Sequence, residues 1–96
     1  MSSIRSESEH AVRPNPNVIS RRIGDEVVLF NLDSDRFYEL NGTAARFWEL
    51  LSTGQDSIQI REQLLSEFAV EAAQLDGEAA GLLESLRREN LISVDE

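Results

Sequence analysis

The residues able to do chemistry are numerous but poorly arranged for it. The chain of 96 residues carries eighteen acids, nine arginines, one histidine and no cysteine. Serines are plentiful, yet no Gly-x-Ser-x-Gly elbow, His-Glu-x-x-His pair or phosphate-cradling glycine loop gives one a catalytic setting. Asn31, Asp33 and Asp35 offer oxygens at the alternate spacing of a calcium loop. The downstream glycine and bidentate glutamate of such a loop are missing, so the three read as a turn. His10 has no second ligand or base near it in sequence, and Glu84 and Glu89 read as the solvated face of a helix. Without cysteine there is no thiolate nucleophile, disulfide or Cys-based zinc site. The expectation is a protein that is not an enzyme, with no metal and no cofactor, whose function comes from a surface.

Charge narrows the choice of partner. The net charge is −9 and every cation is an arginine. Beyond residue 17 the arginines are scattered, at Arg21 and Arg22, Arg36, Arg46, Arg61, and Arg87 and Arg88. Phosphate backbones repel such a chain unless its cations cluster. A recognition helix needs basic and amide side chains near its start; only Arg61 suggests one, and it reads better as a surface arginine. No apolar run approaches the roughly 20 residues that span a bilayer. The N-terminal MSSIRSESEH lacks the apolar stretch of a secretory signal. No nucleic acid, no membrane and a cytoplasmic location are expected. At 41% hydrophobic and 28% charged residues, the composition fits one small globular domain.

The elements that position the surface follow in chain order. Residues 1–17 are polar, contain Pro14 and Pro16 and show no period; they read as a disordered N-terminal tail, leaving 18–96 as the domain. VISRRI predicts a strand, Gly24-Asp25 a hairpin turn, and residues 26–32 the clearest strand. Val27 and Leu29 share one face; Val28, Phe30 and Leu32 share the other. Both faces are apolar, so both are expected to be covered. Asp33-Ser34-Asp35 predicts a turn of residues that bond their own backbone. Residues 36–40 form a third strand in which Phe37 and Tyr38 alternate, so one of the two aromatics is expected in the core.

Three helices come next. The first covers 44–51, capped by Asn41 or Thr43, with Ala44, Phe47, Trp48 and Leu51 on one face and Gly54 at its end. The second is capped by Asp56 or Ser57 and carries Ile60, Leu64 and Phe68. Residues 70–75 connect it to a third over 77–89, capped by Asp76, with Ala79, Leu82, Leu83 and Leu86 as its stripe. Asn90 suits a left-handed turn, after which Leu91, Ile92 and Val94 pack back. Strands grouped before helices give an α+β fold: a three-stranded antiparallel sheet followed by three helices, winged-helix-like.

A sheet of three strands has two edges with unpaired backbone groups, and an extended peptide can pair there while pockets take its alternate side chains. The third strand, with its two aromatics flanked by Arg36 and Glu39, suits that role.

The run VVLFNLDSDRFYELNGTAARFWELL, then Gly54, LLSEFAV, Asp76 and the ending LRRENLI, resembles the PqqD-like proteins. These RiPP recognition elements are small modules of ribosomal peptide natural-product biosynthesis. Tyr38, Leu40, Asn41, Ala45, Trp48 and Leu51 fall on the family pattern. Two departures stand out: Asn90 occupies a position that is often glycine, and the N-terminal tail is long.

The resemblance implies a winged-helix-like fold in which the leader segment of a precursor peptide docks beside the third strand, in a cleft closed by the last helix. It implies presentation of that precursor to a separate enzyme. Binding residues carried over are Arg36, Phe37, Tyr38, Glu39 and Leu40 on the strand. On the helix they are Gly81, Leu82, Ser85, Leu86 and Glu89, with small side chains at Gly81 and Ser85 leaving room for a bulky guest residue. The Trp-Glu-Leu-Leu helix leans toward lasso-peptide modules that work with a leader protease. A peptide chaperone of pyrroloquinoline quinone biosynthesis, with a radical SAM partner, is the second reading. A winged-helix DNA-binding regulator and an interaction subunit without a peptide ligand complete the alternatives.

Overall fold

The structure, a computed structural model, describes residues 12–94. The expectations for His10 and for the tail through residue 11 lie outside the described residues. In chain order the elements are β1 (Val12–Pro14), β2 (Val18–Ile23), β3 (Glu26–Asn31), β4 (Arg36–Asn41), α1 (Gly42–Ser52), α2 (Ser57–Glu67), α3 (Ala72–Arg88) and β5 (Ile92–Val94). β2, β3 and β4 form the antiparallel meander, in that spatial order. β1 pairs antiparallel with β5 in a separate two-stranded ribbon.

Local chemistry explains the turns. Gly24 sits at φ +63° between β2 and β3, where an L side chain would be strained. The β3–β4 turn is organised by Asn31 rather than by the aspartates alone. The Asn31 Oδ1 accepts from the Asp33 backbone N–H at 2.8 Å, and the Asn31 carbonyl accepts from the Asp35 N–H at 2.8 Å. Asp35 takes the left-handed conformation at φ +60°.

The sheet has an inner and an outer face. Leu29, fully buried, and Val27, 2% exposed, point inward onto α1, which contributes Phe47, Trp48 and Leu51 to the core. Register places Tyr38 opposite Leu29 and Leu40 opposite Val27, so both also face inward. Tyr38 is therefore the aromatic that joins the core margin, while Phe37 lies outward and is 70% exposed. The expectation that both faces of β3 are covered fails. Phe30 and Val28 are only half-buried on the outer face, and Leu32, just past the strand, is 51% exposed.

The helices are fixed by caps and by arginine forks. Asp56 caps α2 in a full capping box, accepting from the Gln59 N–H at 2.8 Å while the Gln59 side chain accepts from the Asp56 N–H at 3.0 Å. Asn41 precedes α1 but makes no side-chain capping bond, and α1 begins at Gly42. α3 starts at Ala72, ahead of the expected position, because Leu75 extends its apolar stripe by a turn and is 2% exposed. Asp76 thus lies inside α3. Its carboxylate accepts from Arg61 Nε and Nη2 at 2.7 and 3.2 Å instead of capping a helix.

Two more forks link neighbouring elements: Arg22 of β2 to Glu49 of α1, and Arg46 of α1 to Glu67 of α2 at 2.8 and 2.9 Å. The arginines hold these carboxyls below the ordinary range; Glu67, bonded by Arg46 and then by Gln63, falls to about 2. Val12–Pro14, assigned to the tail by its polar surroundings, instead pairs with the closing segment, Val12 against Val94 and Pro14 against Ile92. No helix among the described residues is long and apolar enough to cross a membrane.

Candidate functional site

β4 is bonded to β3 on one side and to no strand on the other, so its second edge is open among the described residues. α3 approaches that edge at one end. There the Tyr38 hydroxyl donates to Glu89 Oε1 at 2.8 Å, and Arg36 Nη1 stands 3.9 Å from the same oxygen. Burial first, and then the bond to the Glu89 carboxylate, raise the Tyr38 pKa above the ordinary tyrosine value. The hydroxyl stays protonated near neutral pH and serves as a donor.

Two hollows sit along the seam between α3 and the β4–α1 segment. One, of about 550 Å³, is polar and is lined by Asn31, Asp33, Arg36, Tyr38, Glu89 and Asn90 among others. The other, of about 70 Å³, is mostly apolar and is lined by Thr43, Ala44, Phe47, Leu75, Ala79 and Leu82 among others. A third hollow, on α2 beside Gln55, Gln59 and Glu62, shares no residue with either. The arrangement suits an extended chain pairing with β4 and resting alternate side chains in the seam. Among the described residues, no group of three His, Cys, Asp or Glu could hold a metal ion.

The residues singled out from the sequence separate into groups. Arg36, Tyr38 and Glu89 meet at one end of the seam, and Leu82 lines the apolar hollow. Leu40 is half-buried on the inner face. Ser85 is half-buried, one turn from both Gly81 and Glu89 along an i, i+4 row. Gly81 is exposed, and a Cβ added there would meet nothing within 4 Å. Leu86, at 2% exposure, belongs to the core. Phe37 and Glu39 contribute backbone to the open edge, but strand alternation turns their side chains to the outer face.

The residue that sequence reasoning missed is Asn31, the buried polar side chain of the core at 1% exposure. Besides ordering the turn into β4, its Nδ2 donates to the carbonyls of Glu89 and Asn90 at 3.3 and 3.4 Å. One side chain thus sets the spacing between β4 and the end of α3. Asn15 reinforces it, donating from Nδ2 to the Asn90 carbonyl at 2.7 Å. The available signal was an Asn two residues before Asp33, the spacing of an Asx turn.

Two solved structures share this architecture. One, TbiB1 in complex with the TbiA(beta) leader peptide, superposes with a TM-score of 0.81 at 26% identity, covering 84% of this chain and 94% of the other. The second, a lasso peptide synthetase B1 complexed with the leader peptide, gives a TM-score of 0.77 at 25% identity, covering 86% and 98%. No curated protein matches the sequence. The profile of the family described as coenzyme PQQ synthesis protein D matches residues 26–92, from the start of β3 into β5. With most of its fold inside that match, this chain belongs to the PqqD family.

Proposed function

We propose that this chain is a non-catalytic carrier that binds the leader segment of a ribosomally made precursor peptide and presents it to a separate processing enzyme. The observation that carries the reading is the open edge of β4, with a polar hollow beside Arg36 and Tyr38 and an apolar one farther along α3, against α1 and α2. Both structural relatives are described in complex with a leader peptide, which supports the same ligand class here. The second relative is described as a lasso peptide synthetase, which favours a lasso-peptide pathway; to this we add a leader-cleaving protease as partner and the cytoplasm as the place of work. Arg61, the cation that hinted at nucleic acid, is held by Asp76.

In this mechanism the leader pairs with the β4 backbone, which demands little of its sequence. Selectivity comes from the two hollows, where Tyr38, Glu89 and Leu82 meet alternate guest side chains. A leader disordered when free loses conformational entropy on docking, which moderates affinity. Calorimetric titration of the full chain with its cognate leader tests the proposal. Saturable one-to-one binding is expected, weakened about fivefold or more by Tyr38→Ala, as for a buried aromatic anchor of an interface. Absence of heat and of NMR shift changes in wild type would overturn it.

A further inference from the structure

The polar hollow beside β4 holds more hydrogen-bond donors than the chain itself engages. Four charged side chains line it: Asp33, Arg36, Arg88 and Glu89. The acids and amides there already have partners. Asn17 Nδ2 donates to both Asp33 carboxylate oxygens, at 3.0 and 3.3 Å. Glu89 Oε1 takes the Tyr38 hydroxyl at 2.8 Å. The Asn15 and Asn31 side chains accept from the Asn17 and Asp33 N–H groups and donate to the carbonyls of Glu89 and Asn90.

The two arginines of the hollow differ from these groups. A guanidinium is a fork of N–H donors with no acceptor. Arg36 has one long ion pair, 3.9 Å to Glu89 Oε1, beside the Tyr38 hydroxyl that already serves that oxygen. Arg88 reaches Ser85 Oγ at 3.5 Å. Elsewhere in the chain Arg22, Arg46 and Arg61 each grip a carboxylate through two nitrogens, on Glu49, Glu67 and Asp76. Among the described residues, Arg36 and Arg88 line the hollow without such a fork. Complementing the dipole at the end of α3 does not require Arg88 to face the hollow: Arg87 shares that last turn and does not line it.

Position completes the case. Arg36 shares the inner face of β4 with Tyr38 and Leu40. A guest strand on the open edge turns every second side chain to that face, so the one beside Arg36 lies over the hollow. We infer that this hollow is a carboxylate subsite, in which Arg36 and Arg88 hold the side chain of one aspartate or glutamate of the docked leader and select for it. The inference rests on the carrier function proposed above. A planar guanidinium matches a carboxylate with two parallel bonds, which a neutral amide in the guest does not reproduce. The net charge of −9 slows the approach of an acidic guest, but salt screens that distant repulsion far more than the short-range pairing in the hollow.

Calorimetric titration of the full chain with synthetic cognate leader tests the subsite. In a leader series each Asp is changed to Asn and each Glu to Gln, one at a time. The protein variants are Arg36→Gln and Arg88→Gln, with Arg87→Gln as the control. All three positions are exposed; circular dichroism reports the fold, and Arg88→Gln serves should Arg36→Gln fail to fold. Neutralising one particular leader acid is expected to cost about fivefold in affinity for wild type, and less than about twofold for Arg36→Gln or Arg88→Gln. Each of these two variants is expected to bind the unaltered leader about fivefold more weakly, while Arg87→Gln stays within about twofold of wild type. A leader in which no acid matters by more than about twofold would overturn the subsite and leave the carrier role standing. So would losses that simply multiply between the leader acid and the arginines. A leader lysine or arginine whose removal weakens binding to wild type but not to Glu89→Gln would assign the hollow to a cation and overturn it as well. Failure of the unaltered leader to bind wild type would remove the carrier role and this inference with it.

Discussion

The two faces of the β2–β3–β4 sheet are built from the same alternating strands but end in opposite environments. The inner face presents Val27 and Leu29, with at most 2% exposure, to the aromatic stripe of α1. The outer face presents Ile19, Ile23 and Phe37, each more than half exposed. A protein of this size has one compact core, and all three helices of this chain contribute to it. Among the described residues nothing covers the outer face, which is a cost to solubility unless something docks there. The contrast teaches that apolar content alone does not locate a core: the inner face holds the fold together, and the outer one is available for recognition.

The largest expected effect is on the inner face. Leu29→Ala should destabilise the fold by about 2–5 kcal/mol in urea denaturation, through lost burial plus the cavity left behind. Next is Asn31→Ala, which would leave the Asp33 N–H and the Glu89 and Asn90 carbonyls just past α3 without this partner. It is expected to cost about 1–3 kcal/mol and to weaken leader binding, because the end of α3 is no longer held at its distance from β4. Wild-type leader affinity in Asn31→Ala would show that this side chain does not set the site.

Acid provides a smaller effect that involves the arginine forks. Glu49, Glu67 and Asp76 have folded-state pKa values lowered by Arg22, Arg46 and Arg61. In the unfolded chain they take up protons first. Their contribution to stability is therefore present above their ordinary range, near 4.5 for Glu67, and is lost as pH falls toward about 2. Thermal melts across that window should show the midpoint falling with pH, and less so in Glu67→Gln. Smallest of all, Ile19→Ser on the outer face should change stability by no more than about 0.5 kcal/mol. A loss there comparable with Leu29→Ala would abolish the distinction between the faces.

Elements with strong local signals were legible in the sequence. Gly24 marked the first hairpin, and Asp56, one of the two caps read for the second helix, is the one that caps α2. The pairing of Tyr38 with Glu89, and the place of Leu82 in a separate apolar hollow, involve residues named through family resemblance rather than periodicity. What stayed hidden depends on distant partners. β1 is three residues long and exists because β5, at the other end of the chain, pairs with it. Asp76 has the look of a cap, but its carboxylate is engaged by Arg61, one helix away. Alternation divided the side chains of each strand between two faces, but did not tell which face would be left uncovered among the described residues. The role of Asn31 joined a local turn to the carbonyls of Glu89 and Asn90 just past α3, and only the first half of that is written locally.

The sheet has two edges, β2 and β4, and the account assigns the guest to one of them. Amide hydrogen exchange, measured with and without saturating cognate leader, distinguishes them directly. Amides of β4 should gain protection on leader binding, alternating along the strand as those that face the open edge acquire partners, while β2 exchanges as before. Protection gained along β2, or none gained along β4 at saturation, would contradict the assignment.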